Sequence, residues 1–452
     1  MSEPPRHALA DLLRLKGFQR ILMVRFPSQT ADGAFQLGAA ALLLFALDPN
    51  QATTGWEIAK IIAVTSLPFT VVGPVAGVFI DRWQRRRILV WSNVVRAVVV
   101  VAGLAAASAY ALDLTGGQTV FYAAVLIALS VNRFFLATLG AIQPRVVPGE
   151  VLVPANAIAS TGGSIAALVG ASIGGAVSAS IGDDRGGPEV VVLLSCALFL
   201  MSSVAAARFP PASLGPDLDG PLPPLRTEVA VAFTDVREGV QAMLRSRRAW
   251  APIVAFSTLR LLITASSIAG LLVFRNVYGR GSESVAQVLV AFGIGVFVGA
   301  VGITVQDRVG RPVRNESAVR FALLLGGVPL LVLAEGLRPW AIITMSGALG
   351  VAFGIAKIAS DTLIQTALPD RYRGRLFAAY DVIVNLMVAL GGVAAAVALP
   401  QAERAEAVYL TCGGGLVALA ILSRRWLGRL PPPVDLETWE EAQHLLDPSR
   451  RG

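Results

Sequence analysis

Four polar side chains in the first long apolar stretch have the spacing of one helical face. Arg25, Gln29, Asp32 and Gln36 follow one another at intervals of four, three and four residues. At about 100° per residue they share a narrow face. A carboxylate beside an arginine is drawn to its charged form, whereas burial favours its neutral form, and this competition suits a group that must bind and release a proton. The face predicts a polar cavity lining, with Asp32 as the proton-coupling candidate and the other three as substrate-binding candidates.

Two further arginines are the expected partners of Asp32. Arg96 and Arg133 each lie about eight residues inside a later apolar stretch, at a depth comparable to that of Asp32. Both histidines, His7 and His444, lie in the polar ends of the chain, so proton coupling inside the apolar region would need a carboxylate. The alternative is that Asp32 and an arginine form a permanent structural ion pair.

The second half of the chain offers fewer polar candidates. Arg260 lies about ten residues inside an apolar stretch and is expected to meet an anionic group of a substrate. Asn385 is a further cavity candidate. Lys357 and Asp361 are four residues apart, near the end of a stretch where long side chains can reach water, and this spacing favours a local ion pair over a binding site.

The apolar stretches that carry these residues are long enough to cross a membrane. The chain has 452 residues, of which 55% are hydrophobic and only 15% are charged, whereas soluble domains average about 25% charged residues. About 20 apolar residues span a bilayer as a helix. Twelve spans are predicted, at residues 21–47, 57–80, 88–112, 118–141, 152–181, 188–208, 250–274, 284–305, 318–336, 339–364, 376–400 and 406–423.

Charge predicts the orientation of these spans. An even number of spans places both ends of the chain on one side. With that side cytoplasmic, 26 Lys and Arg belong to the inner side, counting Arg208 at the end of the sixth span, and 6 to the outer side, counting Lys60 near the start of the second span. This asymmetry is what the positive-inside rule requires. We therefore expect a multi-pass protein of the inner or plasma membrane with cytoplasmic termini.

Several other classes of function lack their signals in the sequence. The net charge of +8 comes from basic residues at the ends of apolar stretches, which orients a membrane protein and does not indicate nucleic-acid binding. The sequence has no nucleotide-binding phosphate loop. Its two distant cysteines, with no histidine in the apolar stretches, do not form a set of metal ligands. We expect no enzymatic activity, no cofactor and no metal, and partners limited to a small-molecule substrate, protons and membrane lipids, in a monomer.

The predicted organisation is two bundles of six helices joined by a linker. Residues 1–20 form an N-terminal tail, 21–208 the first bundle, 209–249 the linker, 250–423 the second bundle and 424–452 a C-terminal tail. The linker begins with a proline-rich part, typical of an extended connection, and residues 227–248 alternate apolar and charged residues at helical spacing. This pattern predicts either an amphipathic helix on the inner membrane surface, with Arg245, Arg247 and Arg248 toward headgroups, or a plain tether.

A glycine- and arginine-rich segment after the second span has a displaced copy. The first reads Gly73-x3-Gly77-x3-Asp81-Arg82-x2-Arg85-Arg86, and a shift of 226 residues places Gly299, Asp307, Arg308 and Arg311 on Gly73, Asp81, Arg82 and Arg85. A second echo, at an offset of 222 residues, relates Ile142-Gln143 to Ile364-Gln365. Two echoes at nearly one offset indicate an all-α membrane fold built as a parallel repeat of six helices, an arrangement that places a substrate site between the halves.

At these residues the sequence resembles the major facilitator superfamily of transporters. The segment from Gly73 to Arg86 matches the superfamily's signature between its second and third helices, and the later copy is degraded, with Ile303 and Pro312 at signature positions. Shorter features resemble the branch of macrolide-efflux proteins, siderophore exporters and lysophospholipid flippases: Arg25-Phe-Pro-Ser28, Leu67-Pro68-Phe69, Pro154-Ala-Asn156, and Gln365 through Pro369 to Gly374-Arg375.

The resemblance implies a secondary transporter that works by alternating access. It implies proton-coupled efflux (antiport) of an amphipathic or drug-like compound, with export of a lipid or an anionic siderophore as the alternative. A membrane sensor that kept the fold but does not transport is the remaining alternative. In the resembling fold Asp81 faces the start of the eleventh helix, near Gly374-Arg375. The expected conformational latch therefore comprises Gly73, Gly77, Asp81, Arg82, Arg85 and Arg86, with the copy Asp307, Arg308 and Arg311. The alternative is that Asp81 and its arginines only set the topology.

Overall fold

Thirteen long helices make up most of the part of the chain that a computed structural model describes. That part comprises residues 12–43, 55–110, 117–182, 185–211, 213–216, 224–279, 282–308, 314–367, 370–399, 404–428 and 430. The helices of the first half are α1 (Lys16–Ala41), α2 (Gly55–Ile80), α3 (Arg85–Tyr110), α4 (Gly117–Val146), α5 (Leu152–Ile181) and α6 (Gly186–Ala207). They are followed by α7 (Leu225–Arg245), α8 (Arg247–Leu272), α9 (Ser282–Arg308), α10 (Asn315–Leu333), α11 (Pro339–Gln365), α12 (Asp370–Ala398) and α13 (Ala405–Leu422).

Twelve of these helices correspond to the twelve predicted spans, and α7 lies in the linker. The described residues contain no strand, so the all-helical membrane fold class is confirmed. Within the described part of the chain, ten helices combine the length and hydropathy needed to cross a membrane. Helix α1 is not among the ten, because it carries Arg20, Arg25 and Asp32 together with several amides. The most polar of the predicted spans is thus the one that carries the predicted chemistry.

The short gap between the ninth and tenth predicted spans is a real break in the helix. Helix α10 ends at Leu333, and Gly336 has a φ of 73°, a left-handed conformation that glycine adopts without steric penalty. Pro339 then stands in the first turn of α11, where its missing N–H and its fixed φ suit a helix start. Glycine and proline therefore separate two apolar runs that lie only a few residues apart.

The chain divides into two compact units. The first comprises residues Met1–Thr53, Lys60–Ala230 and Phe274–Val290, and the second Thr54–Ala59, Val231–Val273 and Ala291–Gly452. The division runs through α7, whose first turns belong to the first unit.

Within the first unit α1 packs against α5 at glycine contacts. A β-carbon on Gly170 would overlap the carbonyl oxygen of Thr30, and one on Gly33 would overlap that of Ala167. Small residues that let helix backbones approach this closely are typical of membrane helix packing. The glycines of α5 thus serve close packing, and they hold α1 and its polar residues firmly in the unit.

Candidate functional site

Asp32 forms an ion pair inside the first unit. The carboxylate pairs with the guanidinium of Arg96 on α3, and the two side chains are 2% and 0% exposed. Arg96, one of the two predicted partners, is therefore in place. A charge removed from water is tolerated only when it is paired or hydrogen-bonded, and intramembrane charges of this kind are functional candidates.

Hydrogen bonds extend this ion pair over three helices. Arg96 Nη1 donates to Ser28 Oγ and to Asn93 Oδ1, both at 3.1 Å. Asn93 Nδ2 donates to Ser202 Oγ at 2.9 Å, and that hydroxyl donates to the carbonyl oxygen of Val24 at 2.6 Å. The network joins α1, α3 and α6, and we call these five side chains, from Ser28, Asp32, Asn93, Arg96 and Ser202, the buried network.

Arg96 also stacks on an aromatic ring. Its guanidinium carbon lies 3.8 Å from the ring centroid of Phe199 on α6, a distance at which a cation is attracted to the face of the ring. The guanidinium therefore has neutral partners, two hydrogen-bond acceptors and one ring, in addition to Asp32.

The other members of the α1 face do not share the environment of Asp32. Gln36 is exposed, and Arg25 and Gln29 are half-buried. A β-carbon on Gly163 of α5 would lie 2.7 Å from Arg25 Nε, so this glycine makes room for the arginine. Among the described residues, the buried Nε of Arg25 has no hydrogen-bond partner. The predicted face thus splits into a buried part around Asp32 and a more open part that contains Arg25, Gln29 and Gln36. Arg133, the second predicted partner, is half-buried on α4.

The second unit holds a different polar site. Lys357 Nζ lies 2.8 Å from Asp361 Oδ1, and the two side chains are 39% and 29% exposed, which agrees with the local pair expected from their spacing. Lys357 Nζ also lies 4.9 Å from the ring centroid of Tyr380 and 5.8 Å from that of Phe256. Arg260 lies 5.1 Å from the ring centroid of Phe353. We call Phe256, Arg260, Phe353, Lys357, Asp361 and Tyr380 the aromatic cluster.

Sequence reasoning missed several members of both sites, although their spacing carries a signal. Ser28 precedes Asp32 by four residues and Asn93 precedes Arg96 by three, so each shares a helical face with its charged neighbour. In the aromatic cluster, Phe256 precedes Arg260 by four residues and Phe353 precedes Lys357 by four. Asn385, the remaining predicted cavity residue, donates to the carbonyl oxygen of Asp381 at 2.8 Å, a contact within its own helix.

The arginines after α2 hold the loop to neighbouring helix ends. Arg85 Nη2 lies 3.1 Å from Asp81 Oδ1, and the Asp81 side chain is 73% exposed. Arg85 Nη1 donates to the carbonyl oxygen of Ala141 at 3.3 Å, and Arg86 Nη2 donates to that of Ala207 at 2.7 Å. Arg82 pairs with Glu228 of α7 at 2.7 Å.

Only part of the predicted latch can be described. Gly77 lies near the end of α2, with no heavy atom of the described residues within 4 Å of a β-carbon placed there. The surroundings of Gly73, Asp307 and Arg308 and the whole of Arg311 lie outside the described residues. A β-carbon on Gly299 of α9 would overlap the carbonyl oxygen of Val351 on α11, so this glycine of the copy serves close packing.

The basic residues around α7 make contacts within the second unit. Arg375 Nε on α12 lies 2.8 Å from Asp235, and Arg375 also pairs with Glu238 at 2.5 Å. Arg247 donates to the carbonyl oxygen of Trp426 at 3.1 Å, and Arg248 Nη2 to Thr366 Oγ1 at 3.2 Å. The arginines expected to meet headgroups, Arg247 and Arg248, thus fasten the start of α8 to helix ends of the same unit.

Comparison with known proteins agrees with this architecture. The profile of the Major Facilitator Superfamily matches residues 21–392. The chain is 30% identical over 424 residues to the uncharacterized MFS-type transporter Rv0037c of Mycobacterium tuberculosis, an alignment that covers 93% of each chain. It is 22% identical over 417 residues to the uncharacterized MFS-type transporter YfiS of Bacillus subtilis, covering 90% of this chain and 92% of the relative.

Solved structures share the fold at low sequence identity. The nucleoside transporter NupG aligns with a TM-score of 0.66 at 12% identity, over 92% of this chain and 100% of that one. A bacterial homologue of the iron transporter ferroportin, in its inward-facing state, aligns with a TM-score of 0.67 at 14% identity, over 92% and 100%. The chain belongs to the Major Facilitator Superfamily and is a membrane transporter of that type.

Proposed function

We propose that this protein exports an amphipathic or drug-like small molecule in exchange for protons, by alternating access between its two halves. In this proposal both termini face the cytoplasm and the protein resides in the inner or plasma membrane. Sequence supports the orientation through the excess of basic residues in the segments assigned to the cytoplasm. The observation that carries the proton coupling is the fully buried ion pair of Asp32 and Arg96.

The buried network is suited to accept a proton without collapsing. When Asp32 takes up a proton, it loses its attraction to Arg96, and a buried guanidinium without any partner would be strongly unfavourable. Here Arg96 keeps Ser28 Oγ, Asn93 Oδ1 and the ring of Phe199. Protonation therefore exchanges a charged partner for neutral ones, and the change in attraction between α1 and α3 is the local event that biases the conformational equilibrium.

Substrate binding is assigned to the open part of the α1 face. Arg25, Gln29 and Gln36 offer hydrogen-bond donors and acceptors beside Asp32 along one helix. Arg260 and Asn385 remain the candidates from the second half. Because a substrate on α1 lies close to the proton-binding carboxylate, substrate and proton can compete for one conformational state, as antiport requires.

Export of an anionic lipid or siderophore is the second candidate, and Arg25 is the observation that favours it. Its half-buried guanidinium has a buried Nε without a hydrogen-bond partner among the described residues. Guanidinium groups bind phosphate and carboxylate through paired hydrogen bonds. An anionic cargo would give that nitrogen a partner.

Uptake into inverted membrane vesicles tests the coupling. A pH gradient, acid inside, is imposed across the vesicle membrane. One of three probes is then added outside: tetraphenylphosphonium (cationic), chloramphenicol (neutral) or lysophosphatidylglycerol (anionic). We expect the gradient to drive uptake of at least one compound in the wild type. Asp32→Asn should abolish that dependence on the gradient, because the amide cannot bind and release a proton at this site.

The matched control is Asp361→Asn. It removes a carboxylate from the pair with Lys357, which is about one-third exposed, and should leave gradient-driven uptake in place. Normal gradient dependence in Asp32→Asn would refute the coupling role and leave the Asp32–Arg96 pair as a structural element. Preference for lysophosphatidylglycerol over the other two compounds would favour the anionic-cargo candidate.

We also propose that Asp81 and its arginines act as a conformational latch with the start of α12. The support is their position at the end of α2, where Asp81 is exposed and already paired with Arg85, and the preference of carboxylates for helix N-termini. Asp81→Asn should lower the turnover rate several-fold without a matching change in the dissociation constant of the transported probe. Equal turnover and equal affinity would contradict the latch.

A further inference from the structure

A groove opens on the first unit where α2 ends and α3 begins. It has a volume of about 550 Å³ and is lined by residues that include Arg82, Trp83, Arg87, Trp91, Val95 and Phe134. The volume lies in the range of roughly 300–1,000 Å³ that is common for small-ligand sites. The proton coupling does not use this groove, and the proposed latch shares only Arg82 with it.

Aromatic side chains build one wall of the groove. Trp83 lies 6.0 Å from Phe134 of α4 and 5.2 Å from Phe79 of α2, measured between ring centroids. Edge-to-face and tilted contacts at these distances stabilise aromatic pairs. Trp83, which sits in the loop between two spans, is thus held in place although half of its surface remains exposed.

An exposed apolar stripe leads away from the groove along α3. Trp91 is 61% exposed and Val98 is 62% exposed, and Val95 between them is exposed as well. The spacings of four and three residues place all three on one face of the helix. In a helix that crosses a bilayer, such a face contacts lipid acyl chains, and tryptophan is enriched at the level of the headgroups.

The lining of the groove is cationic. Arg87 is exposed and makes no hydrogen bond or ion pair within the described part of the chain. Arg82 also lines the groove but is engaged by Glu228. No acidic side chain is among the groove's lining residues that the structure describes. Along the chain Trp83 comes first, in the loop, Arg87 and Trp91 follow on α3, and the apolar stripe continues from Trp91 along that helix.

We propose that this groove binds one anionic phospholipid of the phosphatidylglycerol type. The phosphate is held by Arg87, the glycerol region lies against Trp83 and Trp91, and one acyl chain follows Trp91, Val95 and Val98 along α3. Basic pockets beside spanning helices bind anionic headgroups in this way. A phosphate near Arg82 also competes with Glu228 for that arginine, so the bound lipid would loosen the contact between α7 and the loop after α2.

Quenching of tryptophan fluorescence tests the proposal on the full-length protein in phosphatidylcholine nanodiscs. A rising fraction of the lipid is replaced by phosphatidylglycerol brominated on its acyl chains, and brominated phosphatidylcholine serves as the neutral reference. The fluorescence of Trp91 is obtained by subtracting the fluorescence of the Trp91→Phe variant from that of the wild type. This subtraction separates Trp91 from the other six tryptophans. We expect half-maximal quenching of Trp91 at an about fivefold lower fraction of phosphatidylglycerol than of phosphatidylcholine, the factor expected for one arginine at a membrane surface.

Variants of one arginine separate a specific site from general surface charge. Arg87→Gln should raise the half-quenching fraction of phosphatidylglycerol about fivefold, to the value of phosphatidylcholine, and Arg87→Lys should keep most of the preference. Arg208→Gln is the control, because Arg208 is exposed just after α6 and does not line the groove. This variant should shift the half-quenching fraction of phosphatidylglycerol less than twofold. Equal quenching by the two lipids would overturn the proposal and make the groove part of the ordinary lipid shell. Equal effects of Arg87→Gln and Arg208→Gln would overturn it in favour of diffuse attraction.

Discussion

The two halves of the molecule repeat their packing but not their charges. In the first unit a β-carbon on Gly170 of α5 would overlap the carbonyl oxygen of Thr30 on α1, and in the second a β-carbon on Gly391 of α12 would overlap that of Leu261 on α8. By the parallel repeat, α5 corresponds to α12 and α1 to α8. The same pair of helices therefore approaches through a glycine in both halves.

The polar sites of the two halves differ in burial and in partners. The ion pair of Asp32 and Arg96 is almost fully buried and joins two helices, whereas that of Lys357 and Asp361 is about one-third exposed and lies within one helix. The first pair contacts hydroxyl and amide groups and one aromatic ring, whereas the aromatic contacts of the second pair are with the rings of Tyr380 and Phe256. The two halves thus share a glycine contact between corresponding helices, and each half has its own polar chemistry.

The largest expected effect is on stability when the buried pair is broken. Arg96→Met leaves Asp32 as an unpaired buried charge, and removal of one partner from a buried pair costs about 3–5 kcal/mol. The free energy of unfolding, measured by denaturant titration in mixed micelles, should fall by that amount, and by less at lower pH, because protonation removes the unpaired charge.

The double variant separates pairing from packing. Asp32→Asn with Arg96→Met should recover most of the lost stability, because no buried charge remains, but gradient-driven transport should stay absent. A double variant as unstable as Arg96→Met alone would show that Arg96 acts through packing against Phe199 and not through its charge.

Particular residues show how far sequence reasoning reaches in this fold. The twelve spans and the repeat follow from apolar runs and from the signature at Gly73 to Arg86, because bilayer thickness imposes a length on every crossing helix. The polar face of α1 was also visible, since helical periodicity places Arg25 and Asp32 together. Periodicity cannot tell which neighbouring helix a face meets, so the burial of Asp32 against Arg96 and the separate surroundings of Gln36 became clear only from packing between helices.

The glycine contacts give the next largest expected effect, and here the two halves should behave alike. Gly170→Ala and Gly391→Ala each push a methyl group into a backbone carbonyl of the facing helix, and overpacking of this kind costs about 1–3 kcal/mol. Both variants should lose stability by similar amounts in the same denaturant titration. Gly140→Ala and Gly414→Ala are the matched controls, since a β-carbon at either position meets no heavy atom of the described residues within 4 Å. A large loss in only one half would mean that the packing is not equivalent in the two bundles.

The smallest expected effect comes from the pair in the second half. Lys357→Met removes the same kind of charge as Arg96→Met, but its partner Asp361 is 29% exposed and can be solvated once the lysine is gone. Exposed pairs contribute at most about 1 kcal/mol, so the free energy of unfolding should change by less than that. Double-mutant coupling between Lys357→Met and Asp361→Asn should be correspondingly small, whereas the coupling between Asp32 and Arg96 should be several times larger. Couplings of equal size would mean that burial does not distinguish the two pairs, and the assignment of proton exchange to Asp32 would lose the physical difference on which it rests.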